Sequence, residues 1–483
     1  MSHAKIIFKD EVNTKIEGLD LATRKYLSDK FKFRLPYAYH LPSVKLGRWD
    51  GCVNFFNLGG TTYINLLPEI LPELESRGYE LELDDQREPR IEFKFPVIDE
   101  NSYSHIKWPK GHVHAGKPIV LRDYQVDIIN KFFSDTQSLQ EIATAAGKTI
   151  ITAVLSHACE KYGRTIVIVP NKSLVTQTEK DYKLLGLDVG VYYGDRKEFK
   201  KTHTICTWQS LNVMLKNTKK GSADIMDFIK DVKCVMVDEV HMAKADVLKQ
   251  LLTGVFADVP IRWGLTGTIP KDNFDFFALK ISIGDVIHRL KTHELQEKDV
   301  LADCQVKIWQ LQDYVEYKSY AQELTYLTTT RKRVEFVAEL LKEIVKSGNT
   351  LVLVNRVKTG KLIEELIPGS VFISGSVHVE KRTEHYDEVA VVNNKLISAT
   401  FGVAAVGINV PRIFNVVLFE PGKSFVRVIQ SIGRGIRKAQ DKDYVQIYDL
   451  TSSAKFSKRH LTKRKVFYKE AKFPFEIEKI EWQ

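Results

Sequence analysis

The stretch Gln140–Ile150, Q-E-I-A-T-A-A-G-K-T-I, decides how this chain is read. Gly147, Lys148 and Thr149 form the G-K-[ST] core of a phosphate-binding loop. In such a loop backbone N–H groups and the lysine ammonium surround nucleotide phosphates, and the threonine hydroxyl reaches Mg²⁺. Thr144, Ala145 and Ala146 are the small residues leading into that core and join the same nucleotide contact. The motif departs from its usual form at one place. It asks for a glycine five residues before Gly147, and Ile142 stands there. The plain alternative is a helix start carrying an incidental Gly-Lys-Thr, and the rest of the chain has to decide.

A second anchor is C-V-M-V-D-E-V-H, Cys234–His241. An apolar strand that delivers Asp238 and Glu239 at its C-terminal end suits a site for Mg²⁺ and water. Asp238 would hold the metal with Thr149, and Glu239 would polarise the attacking water. Open parallel sheets place their ligands at such strand ends. The alternative is an acidic strand end capping the next helix. That alternative weakens because the box stands about ninety residues after the phosphate loop and within the same run of strands.

The pattern around these anchors is α/β. L-R-D-Y-Q-V-D-I-I-N-K-F-F reads as a helix from Leu121, and the phosphate loop opens another helix. T-I-V-I-V-P, T-H-T-I-C-T-W-Q-S, C-V-M-V-D-E-V-H and R-W-G-L-T-G-T read as strands, with helices between them. Strands alternating with helices predict a parallel sheet covered on both faces. A second series begins near Cys304 with Q-V-K-I-W-Q-L, T-L-V-L-V-N, S-V-F-I-S-G, K-L-I-S-A-T, N-V-V-L-F-E and Y-V-Q-I-Y-D-L. Only the first series has a phosphate loop. Residues 1–100 differ: a hairpin, an amphipathic helix, glycine-punctuated short strands, then a helix and a strand predict a small α+β unit. Residues 101–118 read as a linker. Their histidines His105, His112 and His114 lack partners spaced for a metal site.

Composition sets the outer limits. The 483 residues allow about three domains at ~150 residues each. Hydrophobic content of 44% and charged content of 27% are those of a globular protein. No apolar run approaches the ~20 residues a membrane helix needs, and no secretory signal opens the chain. Five scattered cysteines without a C-x-x-C pair predict reduced thiols in a cytosol-like compartment. The net charge of +10 favours a polyanionic partner. Residues 1–68 hold ten Lys/Arg against six Asp/Glu (+4), and residues 69–100 hold four against eleven (−7). Residues 451–469 hold seven Lys/Arg and no acid. Each run is equally a solvated face.

Taken with Q-S-I-G-R-G-I-R at Gln430–Arg437, the two anchors resemble superfamily 2 helicases of the DExH type. The resemblance implies two tandem RecA-like domains with parallel sheets, preceded by the small α+β domain. It implies boundaries of 1–100, linker 101–118, 119–300, 301–450 and a basic C-terminal extension 451–483. It implies ATP and Mg²⁺ as cofactors. Arg434 and Arg437 become arginine fingers, each a charge worth about 10³–10⁵ in rate when placed on the transferring phosphoryl group. Gln125 in L-R-D-Y-Q resembles the adenine-reading glutamine. His241, Gly407, Asn409 and Gln430 fall at nucleotide-facing positions, although many relatives carry Asp where Asn409 stands. Pro170 in I-V-P-N-K-S, Thr207 in C-T-W-Q-S-L, Asn355 in N-R-V-K-T-G and Thr400 in A-T-F-G resemble the motifs that touch a nucleic-acid backbone. Trp208 reads better as a core aromatic. G-L-T-G-T, Gly264–Thr268, resembles the motif coupling hydrolysis to motion.

The N-terminal V-K-L-G-R-W-D-G-C-V-N-F-F-N resembles the first domain of UvsW-type phage helicases, which remodel branched DNA. That implies DNA as partner, especially forks and junctions, with RNA–DNA hybrid as a further substrate and replication or recombination proteins as further partners. It implies a phage protein in the host cytoplasm and 3′→5′ polarity. Arg48 and Trp49 in the glycine-rich turn would hold a duplex backbone by charge and stacking. The alternative is that Trp49 plugs a small core. Three rival functions stay open: a double-strand DNA translocase, a nucleotide-gated remodeller without strand separation, and an RNA helicase.

Overall fold

The apolar runs become strands buried on both faces, as parallel sheets require. Arg164–Val169, Val232–Asp238 and Ile261–Thr266 keep almost every residue out of water, and so do Thr350–Val354 and Asn415–Phe419. The computed structural model describes residues 2–87, 91–108, 115–218, 225–240, 245–375, 385, 388, 392–403, 412–423 and 441–482. The chain gathers into two compact units, Met1–Ile142 with Gly147–Arg289, and Ala143–Ala146 with Leu290–Gln483.

The first unit holds an eight-stranded sheet. Its order is Arg196–Lys197, Val189–Tyr193, His203–Thr207, Arg164–Val169, Val232–Asp238, Ile261–Thr266, Gln137–Ile142, Asp285–Leu290. From Val189–Tyr193 to Gln137–Ile142 every pairing is parallel, and the short Arg196–Lys197 strand turns back antiparallel. Strands Gln137–Ile142, Val189–Tyr193 and Asp285–Leu290 were not legible as such in the sequence. Q-S-L-Q-E-I carries Ser138, Gln140 and Glu141 yet is buried nearly throughout. Its polar side chains are accommodated individually: Gln140 Nε2 donates to Ile128 O at 2.9 Å, and Ser138 Oγ donates to Asp135 O at 3.1 Å. Tertiary context thus overrides composition there.

The same unit includes a four-stranded sheet ordered Thr61–Tyr63, Asn13–Glu17, Ser2–Phe8, Tyr79–Asp85. Ser2–Phe8 and Asn13–Glu17 form the expected antiparallel hairpin, while Tyr79–Asp85 runs parallel to the first strand. Helices Leu21–Lys30 and Leu67–Ser76 cover it. The core of this α+β module is shared with helix Asn273–Ser282. Phe33 stacks on Phe277 at 4.4 Å and Phe55 on Phe274 at 5.9 Å, with Lys249 Nζ 4.9 Å over the Phe55 ring. Polar ties flank the aromatics. Glu11 N donates to Ala257 O at 3.0 Å, and Lys280 meets Glu69 at 2.6 Å. Residues 91–108 lie against helices Asp123–Ser134 and Lys148–Cys159, with Phe95 stacked on Phe133 at 4.5 Å and Tyr103 OH 2.9 Å from His157 Nδ1. Of the three histidines in residues 101–118, only His105 is among the described residues.

The second unit is a seven-stranded parallel sheet: Val371–Ile373, Leu396–Thr400, Thr350–Val354, Asn415–Phe419, Tyr444–Ser452, Asp303–Leu311, Phe475–Ile480. The basic stretch after residue 450 is built into it. Helix Lys455–Glu470 packs on the strands, and Phe475–Ile480 pairs in parallel with Asp303–Leu311 as the edge strand. The architecture is therefore α/β, with two tandem RecA-like parallel sheets preceded by a small α+β module.

Candidate nucleotide site

Strand Gln137–Ile142 ends at the phosphate loop, and helix Lys148–Cys159 begins on its far side. Ile142, where the motif asks for glycine, is the strand's last residue and is fully buried. The tight geometry falls later. Ala145 has φ 70° and Gly147 φ 83°, both in the left-handed region. At Gly147 a Cβ would come 2.6 Å from Gln125 Nε2, so both backbone and space demand glycine. Helix Lys148–Cys159 offers its N-terminal N–H groups and dipole to an anion.

The functional edge of the sheet brings four sequence-predicted features together. Asp238 ends its strand, and Glu239 follows with φ 51°, a left-handed conformation that costs a non-glycine residue about 1–3 kcal/mol. That bend carries the Glu239 carboxylate to Lys148, with Nζ to Oε1 at 2.9 Å and both side chains about one-tenth exposed. Glu239 Oε2 accepts from Gly267 N at 3.3 Å, and Asp238 Oδ1 accepts from Glu239 N at 2.9 Å. Gly267 and Thr268 close the arrangement from the G-L-T-G-T strand end. Thr266 Oγ1 donates to Thr268 O at 2.8 Å, while Thr268 Oγ1 is buried without a hydrogen-bond partner among the described residues. A buried, unspent hydroxyl beside a lysine–carboxylate pair fits a site built for a further polar group. Asp238 and Thr149 offer one carboxylate and one hydroxyl. That donor set suits Mg²⁺, which keeps most of its shell for water and phosphate oxygens.

Gln125 is placed differently from the base-reading role its motif implies. It is buried, its Oε1 accepts from Arg122 N at 3.0 Å, and its amide nitrogen lies against Gly147. Sequence reasoning missed this brace, and it missed the Gly267 and Thr268 contacts, which only the sheet order brings beside Glu239. A T-G-T at a buried strand end was the available signal.

The predicted nucleic-acid contacts lie at strand ends and turns. Pro170 follows strand Arg164–Val169 and its carbonyl accepts from Gln209 Nε2 at 3.1 Å. Thr207 ends strand His203–Thr207 and its hydroxyl lies 2.9 Å from Ser210 Oγ. Trp208 packs against the hydrophobic core, as expected. Arg48 is exposed in the turn bounded by Gly47 and Gly51, whereas Trp49 is half-buried against the N-terminal core and donates from Nε1 to Cys52 O at 3.1 Å. Its ring is thus largely spent on packing. In the second unit, Asn355 follows strand Thr350–Val354 and donates from Nδ2 to Glu420 O, while Thr400 Oγ1 accepts from Val403 N at 3.4 Å. His241, Gly407, Asn409, Gln430, Arg434 and Arg437 lie outside the described residues.

Beneath Asn355 lies a buried ionic network. Arg333 donates from Nε to Asp313 Oδ1 at 2.9 Å, from Nη2 to Glu420 Oε1 at 2.8 Å and from Nη1 to Leu327 O at 2.6 Å. Asp313 also accepts from Ser452 Oγ at 2.7 Å. One guanidinium thus serves two carboxylates. Burial pushes the Glu420 carboxyl up to about 7, with Arg333 pulling it back down.

Two family models match the chain: Type III restriction enzyme, res subunit over residues 118–271, and Helicase conserved C-terminal domain over residues 332–439. The ATP-dependent DNA helicase uvsW of Enterobacteria phage T4 is 25% identical over 476 residues, covering 93% of this chain and 91% of that one. The DNA 3′-5′ translocase XPB2 of Sulfurisphaera tokodaii is 23% identical over 54% of this chain and 51% of its own. In fold, the chain is similar to the ATP-dependent type ISP restriction-modification enzyme LlaBIII, solved bound to DNA. The TM-score is 0.56 at 13% identity, over 86% of this chain and 36% of that one. With the res-subunit model on the first series of strands, the helicase model on the second and a helicase relative over 93% of its length, the chain belongs to the superfamily 2 helicases, of the UvsW-like kind, and is an ATP-driven motor enzyme.

Proposed function

We propose that this motor acts on branched DNA. It regresses forks, migrates junctions and unwinds D-loops or R-loops during phage replication, recombination and repair in the host cytoplasm, moving 3′→5′. The observation that carries the reading is the extent of the UvsW match. It continues past the motor motifs of residues 118–439 into the N-terminal α+β module and covers 93% of the chain. Generic motors need only the region that holds the motifs.

In this reading residues 1–100 are the DNA-binding domain, 119–300 and 301–450 the two motor domains, and 451–483 their C-terminal extension. Bound ATP with Mg²⁺ supplies the phosphoryl group whose hydrolysis drives the cycle. Lys148 takes up phosphate charge in exchange for Glu239, together with N–H groups from Thr144, Ala145, Ala146 and Gly147. Thr149 and Asp238 hold the metal. Glu239, once released by Lys148, accepts a proton from the attacking water. Arg434 and Arg437 supply positive charge to the transferring group, His241, Gly407, Asn409 and Gln430 complete the nucleotide contacts, and Gln125 braces the loop at Gly147. Arg48, Pro170, Thr207, Asn355 and Thr400 touch the DNA, and Trp49 anchors the turn that presents Arg48.

A second reading, a double-strand DNA translocase without strand separation, is favoured by the restriction-subunit model over residues 118–271. One experiment separates the two, together with an RNA helicase and a nucleotide-gated remodeller. ATP-dependent remodelling is measured in parallel on a fork, a Holliday junction, an RNA–DNA hybrid and a linear duplex, with triplex displacement as the translocation readout. Fork and junction products are expected. Triplex displacement without any strand separation would move the chain to the translocase class.

A further inference from the structure

Helix Lys455–Glu470, K-F-S-K-R-H-L-T-K-R-K-V-F-Y-K-E, has two chemically distinct faces. The inner face is pinned by buried polar contacts. The Glu323 carboxylate accepts from Phe456 N at 3.0 Å and Ser457 N at 2.7 Å, capping the helix start. Arg464 is fully buried and makes paired hydrogen bonds to Asp449, from Nε at 2.7 Å and Nη2 at 2.9 Å, and Tyr468 OH donates to the same carboxylate at 2.8 Å. Ser457 Oγ donates to Glu420 at 3.1 Å. A helix tied at both ends by charge-assisted bonds does not roll on the sheet.

The outer face carries Lys455, Lys458, Arg459, Lys463 and Lys469, all exposed. Lys455 reaches Glu316 at 3.6 Å, while Lys458, Arg459, Lys463 and Lys469 have no ion pair among the described residues. Helix neighbours at i, i+4 stand about 6 Å apart, close to the spacing of successive phosphates on one strand. Fourteen residues at 1.5 Å each extend the row over about 21 Å. The local field is positive enough to be felt by a neighbour. His460, held on the inner face, is pushed down to about 4, first by burial and then by Arg464, Lys423 and Lys463. A solvated lysine face needs no such anchoring beneath it, and it ordinarily carries acids among its bases. Here Glu470 is the helix's only acid, at its last residue.

We infer that the outer face of helix Lys455–Glu470 is a sequence-blind docking strip for a polynucleotide phosphate backbone, separate from the motor motifs. The inference rests on the reading of the chain as a nucleic-acid motor and adds a second contact to it, on a helix that packs on the second sheet.

The test uses the full chain with Lys458, Arg459, Lys463 and Lys469 all changed to Gln, and a control in which the three lysines become Arg. Affinity for a fluorescent 30-mer single strand and a 30-mer duplex is followed from 50 to 200 mM salt, alongside DNA-free ATPase. Each cation engaged on a duplex contributes about 0.9 to the salt slope, so the Gln variant should lose up to about 3.6 from it. It should therefore weaken much less with salt than the parent, by a factor of about 100 across that range. The Arg control should match the parent, and DNA-free ATPase should not change. Whichever probe shows the slope loss identifies the strand form that docks. A Gln variant with the parent's affinity and slope on both probes overturns the strip and leaves the motor reading standing. A parent that binds neither probe overturns both.

Discussion

Replacing Glu239 by Gln tests the nucleotide site most directly, because it separates two jobs that one carboxylate holds. The Lys148–Glu239 pair, at 2.9 Å and largely out of water, must open before Lys148 can meet a phosphate. Two unit charges about 4 Å apart near a protein surface attract by about 4 kcal/mol, much of it offset by desolvation. A hydrogen bond to a charged group nets about 1.5–3 kcal/mol. Glu239→Gln keeps a side-chain oxygen for Gly267 N–H and removes the charge, so that amount no longer opposes nucleotide binding. ATP affinity should rise about tenfold to a hundredfold at 1.4 kcal/mol per tenfold. Turnover should fall by about 10²–10⁴, since the amide cannot accept the water's proton. The assay is fluorescent-nucleotide titration of parent and variant, with single-turnover hydrolysis on the same samples. Unchanged or weaker ATP binding would show that Glu239 does not restrain Lys148. Persistent hydrolysis would remove Glu239 from the proton-accepting role.

Four further outcomes are expected. Lys148→Ala should abolish ATP hydrolysis with the fold intact by circular dichroism; near-normal ATPase in the folded variant would end the phosphate-loop assignment. Arg437→Ala should lower kcat strongly and nucleotide affinity little, and a loss confined to binding would remove it from the finger role. Glu420→Gln should change the pH dependence of stability. The Glu420 carboxyl titrates near 7 when folded, above the usual 4.5, so the folded state binds the extra proton and Glu420's contribution to stability falls as pH rises from about 5 to about 7. His460 acts oppositely, losing stability as pH falls from 6.5 toward 4, and is common to both proteins. Denaturant midpoints of parent and variant should therefore diverge between pH 5 and 8, and parallel curves would contradict this. Phe55→Ala should destabilise the first unit by about 3–5 kcal/mol, because Phe55 is fully buried against Phe274 and Phe277; a shift in melting temperature below about 2 °C would show that the shared core is not cooperative with the motor sheet.

The anchors were legible because their chemistry demands particular residues. Gly147 has no substitute at φ 83° with Gln125 Nε2 above it, and an apolar strand ending in Asp-Glu marks itself. The main strands were legible because parallel sheets bury both faces and so read as apolar runs. What escaped were elements whose polar residues are satisfied by distant parts of the chain. Gln137–Ile142 looks like a loop until Ile128 and Asp135 supply its partners. Strand Phe475–Ile480 is charged because it is an exposed edge, and it followed a stretch whose seven basic residues suggested a tail. The Lys148–Glu239 contact joins residues about ninety positions apart, and only sheet order brings them together. Trp49 shows the opposite limit. An aromatic in a glycine-rich turn can stack on a base or fill a core, and the sequence does not distinguish them until the ring is seen packed against the N-terminal core with its Nε1 donating to Cys52 O.

The placement of the N-terminal module changes how its role can be examined. The nucleotide motifs all fall within residues 119–450, so removal of residues 1–100 ought to leave a working motor. The packing argues otherwise. Phe274, Ala278 and Ile281 of helix Asn273–Ser282 are buried in the core that this module completes, and Lys280 pairs with Glu69 there. A truncation would expose that apolar face and strand the cation. The same helix begins only a few residues after Thr268, in the strand end whose Gly267 N–H holds Glu239. Lost activity in a truncated chain would then report a loosened nucleotide site as readily as a lost grip on DNA. The grip is better isolated at Arg48. Its side chain is exposed, and no hydrogen bond, ion pair or ring contact of that side chain exists among the described residues, so its removal leaves the shared core intact.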